Sequence, residues 1–114
     1  MIRPTRFYSS KQENKVAKAV SGQKTANSGA TKFSKGDVVT DKFLLECKTM
    51  TTNRKQFTIQ KEWLTKNEEE AFAMGKPYSA LCFDFGPDSR ERYYVIPERL
   101  FKQLQKLLEE GNDE

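Results

Sequence analysis

The sequence contains no histidine and only two cysteines. The first absence excludes histidine-based acid–base catalysis, serine–histidine and cysteine–histidine nucleophiles, and histidine-ligated zinc. Cys47 and Cys82 each lie within an apolar run, so we interpret them as small buried hydrophobic residues and not as a disulfide or a zinc site. A metal used by this chain would therefore bind to carboxylates, which favour Mg²⁺ or Mn²⁺.

Long apolar runs are also absent. No run approaches the ~20 residues of a membrane span, and the opening stretch, MIRPTRFYSSKQ, lacks the apolar segment of a secretory signal. We therefore expect no membrane partner and a cytoplasmic location. The 114 residues suffice for a single domain with one modest core, and a net charge of +4 permits an anionic partner.

The spacing of apolar residues predicts an α/β domain, a central mixed β-sheet flanked by helices, in the order α-β-β-α-β-β-α. The predicted elements are a helix over 10–20, strands over 37–40 and 43–48, a helix over 60–75, strands over 78–85 and 92–96, and a last helix from 97. A basic arm covers 1–8, polar loops cover 22–36 and 49–55, and the tail over 110–114 should fray. Ser10 to Glu13 has the form of a capping box that opens the first helix, and Thr65 to Glu68 predicts a break or restart in the second.

A two-residue turn at Asp41-Lys42 would place Asp37 directly opposite Glu46 on two antiparallel strands. Alternation along the strand puts Lys48 on the same face as Glu46. Facing carboxylates repel, and a divalent cation that binds both removes this penalty. Mg²⁺ suits such a site because it keeps several waters, one of which can become a nucleophile, while Lys48 orients it or neutralises phosphate charge. The alternative is a solvated hairpin on which acidic and basic side chains simply alternate.

The segment KGDVVTDKFLLECKT, residues 35–49, resembles the core motif of the PD-(D/E)XK nuclease superfamily, with Gly36 in place of the usual proline. Glu13 in the first helix and the loop around Ser28-Gly29 extend the likeness. From about residue 9 to residue 85, the chain resembles the archaeal-type Holliday junction resolvases, including related phage proteins. This resemblance implies a restriction-endonuclease-like core.

The resemblance also implies that Asp37 and Glu46 bind Mg²⁺, with Mn²⁺ able to replace it, and that Lys48 is the catalytic lysine. Glu13 would reach the metal from the first helix, although the capping box gives it an alternative, purely structural role. The implied assembly is a homodimer that cuts two strands of a four-way DNA junction symmetrically. The implied setting is a bacterial, archaeal or phage-infected cell.

Residues expected to contact DNA lie in the arm, in the two polar loops and at the start of the second long helix. They are Arg3, Arg6, Lys24, Ser28, Gly29, Lys32, Lys35, Arg54, Lys55 and Gln60. The basic residues suit phosphate contacts that follow DNA shape, although each of them alone is equally compatible with an ordinary surface charge.

The predicted function is a Mg²⁺-dependent, structure-specific DNA endonuclease whose expected substrate is a Holliday junction. The alternatives are a nickase or flap nuclease with the same core, a non-catalytic DNA-binding accessory protein, and a structural interaction module whose charges are incidental. Metal dependence separates the two nucleases from the other two alternatives. Competition with linear duplex separates a resolvase from a general nuclease.

Overall fold

The computed structural model of this chain describes residues 5–25 and 37–111. Its elements are, in chain order, α1 (Thr5–Val20), β1 (Gln23–Lys24), β2 (Asp37–Val39), β3 (Phe43–Lys48), α2 (Lys61–Ala73), β4 (Tyr78–Phe83), β5 (Tyr93–Val95) and α3 (Glu98–Glu110). The strands form one mixed sheet in the order β1-β2-β3-β4-β5, in which β3 and β4 run parallel and the other neighbours antiparallel. The expected α/β architecture with a mixed sheet is confirmed, whereas the restriction-endonuclease-like core stays a prediction.

The turn between β2 and β3 sets the register of this hairpin. The backbone N–H of Thr40 donates to the carbonyl oxygen of Phe43 at 3.0 Å, and the N–H of Phe43 donates to Oγ1 of Thr40 at 3.0 Å. Asp41 and Lys42 are therefore the two loop residues, as predicted. The ammonium group of Lys76 donates to the carbonyl oxygens of Thr40 and Asp41, at 2.7 and 3.2 Å. These contacts hold a tight turn that contains no glycine.

One face of the sheet packs against α1. The buried cluster on this face consists of Val16, Val38, Leu45, Ala80 and Cys82. Cys47 stands opposite Cys82 in the parallel β3–β4 pair, and both are free thiols. Cys82 is fully buried as predicted, whereas Cys47 is half-buried at the edge of the cluster. Burial raises the pKa of both thiols, so both stay protonated at neutral pH.

The other face packs against α2, the helix that connects β3 to the parallel β4. Leu44 and Leu81 are fully buried, and strand alternation turns them away from α1. The amide nitrogen of Asn67 donates to the carbonyl oxygen of Ala80 at 3.0 Å, which ties α2 to the central strand. Because β4 is covered on both faces, its sequence is the nearly continuous apolar run YSALCF.

Both helix starts that resembled capping boxes differ from the prediction. α1 begins at Thr5, within the segment predicted to be a basic arm, so Ser10 is inside the helix and caps nothing. The structural role proposed for Glu13 as a capping residue is therefore wrong. α2 runs unbroken through Thr65, whose hydroxyl donates to the carbonyl oxygen of Glu62 within the same helix at 3.1 Å.

The short strand β1 lies in a segment predicted to be a loop. Gln23 and Lys24 are both exposed, and they pair with Val39 and Val38 through the backbone. An edge strand of two polar residues has no apolar alternation by which sequence patterns could reveal it. Residues 57–59, between the polar loop and α2, belong to neither a helix nor a strand.

The polar loop over 49–55 is fastened to the turn that follows β4. The N–H of Arg54 donates to the carbonyl oxygen of Phe85 at 2.8 Å, and the side-chain amide of Asn53 donates to the carboxylate of Asp88 at 2.8 Å. Gly86 lies beneath this contact with a φ of 131°, and a Cβ there would stand 2.5 Å from Cα of Asn53. The close approach of the two backbones therefore requires glycine.

We expect Gly86→Ala to lower the free energy of unfolding by roughly 3 kcal/mol, because it combines an unfavourable φ with a collision against backbone. Gly75→Ala is the matched control, since Gly75 also has a positive φ, 75°, but open space surrounds it. The control should lose only about 1 kcal/mol. Urea unfolding followed by circular dichroism measures both, and equal losses would contradict the backbone contact.

Candidate active site

The β2–β3 hairpin brings three charged side chains together on the face that α2 covers. Asp37 and Glu46 are direct partners across the two strands, as the two-residue turn predicted. Lys48 follows on the same face, and its Nζ lies 2.9 Å from Oε2 of Glu46. The arrangement is therefore a carboxylate pair with an ammonium group ion-paired to one of its members.

The surroundings of Asp37 disfavour a negative charge on its carboxyl group. Its side chain is only 6% exposed. The pKa of Asp37 is raised to about 8, chiefly by burial and then by the neighbouring carboxylates in the order Glu46, Glu70 and Glu13, whereas Lys48 lowers it. A bound cation would relieve both the loss of solvation and the repulsion among these carboxylates.

Two acidic residues from the helices face the hairpin. Glu13 of α1 is buried, and Glu70 of α2 lies close enough to raise the pKa of Asp37. Glu70 was not identified from the sequence, although a signal was present. It follows the buried Asn67 by three residues, and this spacing places it on the helix face that meets the sheet.

Gln12 is a further buried residue that sequence reasoning missed. Its Nε2 donates to the carbonyl oxygen of Lys48 at 2.9 Å, and its Oε1 accepts from the hydroxyl of Thr49 at 2.6 Å. These two bonds fix the end of β3, which carries Lys48, to α1. The role of Gln12 was hidden because the predicted capping box started the helix at Ser10. Gln12 would then lie in a first turn that appeared solvent-exposed.

Trp63 covers Lys48 from the first turns of α2. The ammonium nitrogen of Lys48 lies 4.2 Å from the centroid of the indole ring, a cation–π distance. Helical periodicity places Trp63 on the apolar face of α2 but does not reveal this contact. Held between this ring and the carboxylate of Glu46, the ammonium group has a defined position beside the carboxylate pair.

The donor set fits a hydrated divalent cation. No group of three or more acidic or cysteine side chains within residues 5–25 and 37–111 forms a ready-made metal cage. Asp37 and Glu46 alone provide two hard oxygen ligands, and Mg²⁺ is commonly held by one or two carboxylates with water in its other positions. The direct pairing of Asp37 with Glu46 and the burial of Asp37 support this fit. Glu13 lies near enough to act on Asp37 electrostatically, but its role as a metal ligand stays a prediction.

A polar groove opens beside the hairpin. Its lining includes three residues predicted to contact DNA, Arg54, Lys55 and Gln60, together with Trp63. Arg54 and Lys55 are exposed, and the bond from Arg54 to Phe85 holds their loop in place. Because Trp63 contacts Lys48 and also lines the groove, the groove adjoins the carboxylate pair.

Two of the other residues predicted to contact DNA lie in described secondary-structure elements. Lys24 is exposed on β1 at the edge of the sheet, and Arg6 belongs to α1. The remaining five lie outside the described residues: Arg3, Ser28, Gly29, Lys32 and Lys35.

No family model matches the sequence, and neither a curated protein nor a solved structure matches it. Within the described part of the chain, no helix is long and apolar enough to cross a membrane. The chemistry assigned to this site therefore rests on the chain's own residues.

The buried carboxyl of Asp37 should make stability fall as pH rises. Because its folded-state pKa of about 8 exceeds the ordinary aspartate pKa of 3.8, folding favours the protonated form, and the stability this provides is lost as pH rises from the lower value through the higher one. We expect Asp37→Asn to be more stable than wild type by roughly 2–5 kcal/mol at pH 8 without divalent cations, and equal to it near pH 4. Urea unfolding at a series of pH values gives the difference.

Asp41→Asn is the control for Asp37→Asn, because it removes the same charge from the exposed turn of the same hairpin. It should change stability little at any pH. Addition of Mg²⁺ should raise the unfolding temperature of the wild type and of Asp41→Asn, but not of Asp37→Asn. A destabilised Asp37→Asn at pH 8 would show that the carboxylate is stabilising, contrary to this account.

Trp63 is the single tryptophan of the chain, so its fluorescence reports on Lys48. A cation bound to Glu46 would disturb the ion pair between Glu46 and Lys48 and alter the field at the indole. We expect Mg²⁺ to change the emission of the wild type and to leave Glu46→Gln unchanged. Glu62→Gln, an exposed site next to Trp63, should respond like the wild type. Equal responses in Glu46→Gln and wild type would exclude Glu46 as a ligand.

Proposed function

We propose that this protein is a Mg²⁺-dependent, structure-specific DNA endonuclease that acts on four-way junctions. The observation that carries the proposal is the pair formed by the buried Asp37 and the half-buried Glu46, held face to face with Lys48 beside it. Such a pair is costly in a protein without a cation. A site that acts on a polyanion would explain why such an unfavourable pair is present.

Asp37 and Glu46 would hold Mg²⁺, which supplies an activated water and stabilises charge on a phosphate oxygen. In the reaction, the water oxygen would form a bond to phosphorus as the bond from phosphorus to one bridging oxygen breaks, and the proton lost by the water would reach the departing oxygen by way of solvent. Lys48 places a positive charge where negative charge develops on the phosphate. Trp63 and Glu46 hold that ammonium group from two sides, so it needs little reorganisation.

The surroundings support a nucleic-acid substrate. The chain carries a net charge of +4, and Arg54 and Lys55 line the groove next to the carboxylate pair. Lysine and arginine contacts to phosphate carry little sequence information, which suits an enzyme that selects DNA by its branched shape.

The preference for a four-way junction rests on the resemblance of residues 9–85 to archaeal-type and phage Holliday junction resolvases of the PD-(D/E)XK superfamily. The hairpin that carries Asp37 and Glu46, followed by α2 and the parallel β4, is compatible with the restriction-endonuclease-like core which that resemblance implies. On this proposal, Mn²⁺ replaces Mg²⁺, and a homodimer cuts the two strands symmetrically.

The test is cleavage of a labelled immobile four-way junction in the presence of excess linear duplex. We expect paired symmetric nicks that require Mg²⁺, and a loss of rate by about a hundredfold or more in Glu46→Gln and in Lys48→Met. Glu62→Gln, which removes a carboxylate outside the site, should cut like the wild type.

The related-nuclease and accessory-protein alternatives give different results in the same assay. Mg²⁺-dependent cutting of flaps or nicked duplex in preference to junctions would identify a related branched-DNA nuclease. Intact junctions that are bound equally well by wild type and Glu46→Gln would identify an accessory DNA-binding protein and refute the enzymatic proposal.

A further inference from the structure

The last helix, α3, is anchored only at its beginning. Leu100 is 3% exposed, whereas every residue from 101 to 111 is exposed. The exposed set includes four large apolar side chains, with exposed fractions of 58, 40, 63 and 72% for Phe101, Leu104, Leu107 and Leu108. A helix of this length is marginal in water by itself, and protein helices draw most of their stability from a packed apolar face. Within the described residues, Leu100 is the one residue of α3 that is buried.

The exposed apolar residues form one continuous stripe. At about 3.6 residues per turn, Leu100, Leu104 and Leu107 lie nearly in line, and Phe101 and Leu108 border them on one side. All other residues of the helix are charged or carry an amide. This pattern is therefore typical of a helix that packs against another surface.

A groove continues the stripe onto the sheet. Phe43 and Tyr78, which pair at the start of the parallel strands, have ring centroids 5.1 Å apart and form one wall. Leu100, Leu104 and Leu107 form the other wall of this groove of about 580 Å³. Stripe and groove together form one continuous, mainly apolar surface.

We propose that α3 packs antiparallel against α3 of a second copy of this chain, around a two-fold axis near Leu104. The charges at the edge of the stripe favour this arrangement. Arg99 and Glu110 are eleven residues apart, about three turns, so they lie on the same side of the stripe at opposite ends of the helix. In an antiparallel pair, Arg99 of each copy meets Glu110 of the other, and the two-fold axis forms the contact twice. A parallel pair would not match these opposite charges.

A second copy fits this surface better than the chain's own undescribed residues. The longest such segment, 26–36, contains a single large apolar residue, Phe33. It leaves the sheet at Thr25 and returns at Asp37, which are joined by a hydrogen bond of 2.8 Å. Asp37 pairs with Glu46, towards the end of β3, whereas the groove lies at Phe43, where β3 begins.

The dimer interface goes beyond the proposed catalytic function and does not depend on it. Where the nuclease proposal also holds, this interface is the one that provides two copies of the site for two strands. Both proposals include a homodimer, but they fail separately, because weakening of the dimer by a charge placed in the α3 stripe tests the interface and cleavage dependent on Glu46 tests the site.

The first test is sedimentation equilibrium of the full chain from about 1 to 100 μM. We expect a wild-type particle of twice 13.2 kDa. Leu107→Lys should raise the dissociation constant by about a hundredfold or more, because it places a charge in the centre of both copies of the contact. Gln105→Lys adds the same charge to the same helix outside the groove, and it should stay dimeric. Circular dichroism verifies that each variant is folded.

The second test reverses the charges at the stripe. Arg99→Glu and Glu110→Arg should each weaken the dimer several-fold, and the double variant should restore it. Restoration supports the antiparallel pair. A wild-type monomer across the whole range, a Leu107→Lys dimer as tight as wild type, or a double variant no tighter than the single variants would overturn the proposal.

Discussion

Two carboxylates held against their mutual repulsion determine the character of this protein. Asp37 and Glu46 face each other because a turn without glycine, stabilised by Thr40 and Lys76, leaves the strands no other register. The energy that maintains this register comes from the reverse side of the hairpin. Val38 is fully buried there, and burial of such an apolar side chain contributes about 1.5–3 kcal/mol. A slip of one residue would expose that face to water, so the core enforces the charge pair.

The helices contribute what the hairpin lacks. α1 fixes the end of β3 through Gln12, and α2 brings Trp63 over Lys48. Each helix also brings a carboxylate, Glu13 or Glu70, close enough to act on Asp37. The region around Asp37 is consequently rich in negative charge although the chain as a whole is basic. This concentration of negative charge suits a cation bound between the protein and a phosphate. The carboxylates and the phosphate are both negative, so neither neutralises the other.

The sequence predicted local features well and distant contacts poorly. Counting from a two-residue turn was enough to pair Asp37 with Glu46, because strand alternation has a fixed period. The cation–π contact of Trp63 with Lys48 depends on how α2 crosses the sheet, and no local pattern contains that angle. Glu70 was overlooked for a different reason. It is one of three consecutive glutamates, and only its helical spacing from the buried Asn67 distinguishes it from the other two. The polar strand β1 had no signal, because it is recruited by backbone hydrogen bonds alone.

The reactivity of the two cysteines, finally, reports on the opening of the sheet. Cys47 and Cys82 are neighbours across the parallel pair of central strands, and burial raises the pKa of both thiols. Since the thiolate is the reactive species, alkylating reagents and oxidants find little to attack while β3 and β4 stay together. Because Cys82 is fully buried, its thiol reacts in molecules in which these strands have separated. The rate of alkylation of Cys82 is thus a kinetic measure of how often the centre of the fold opens.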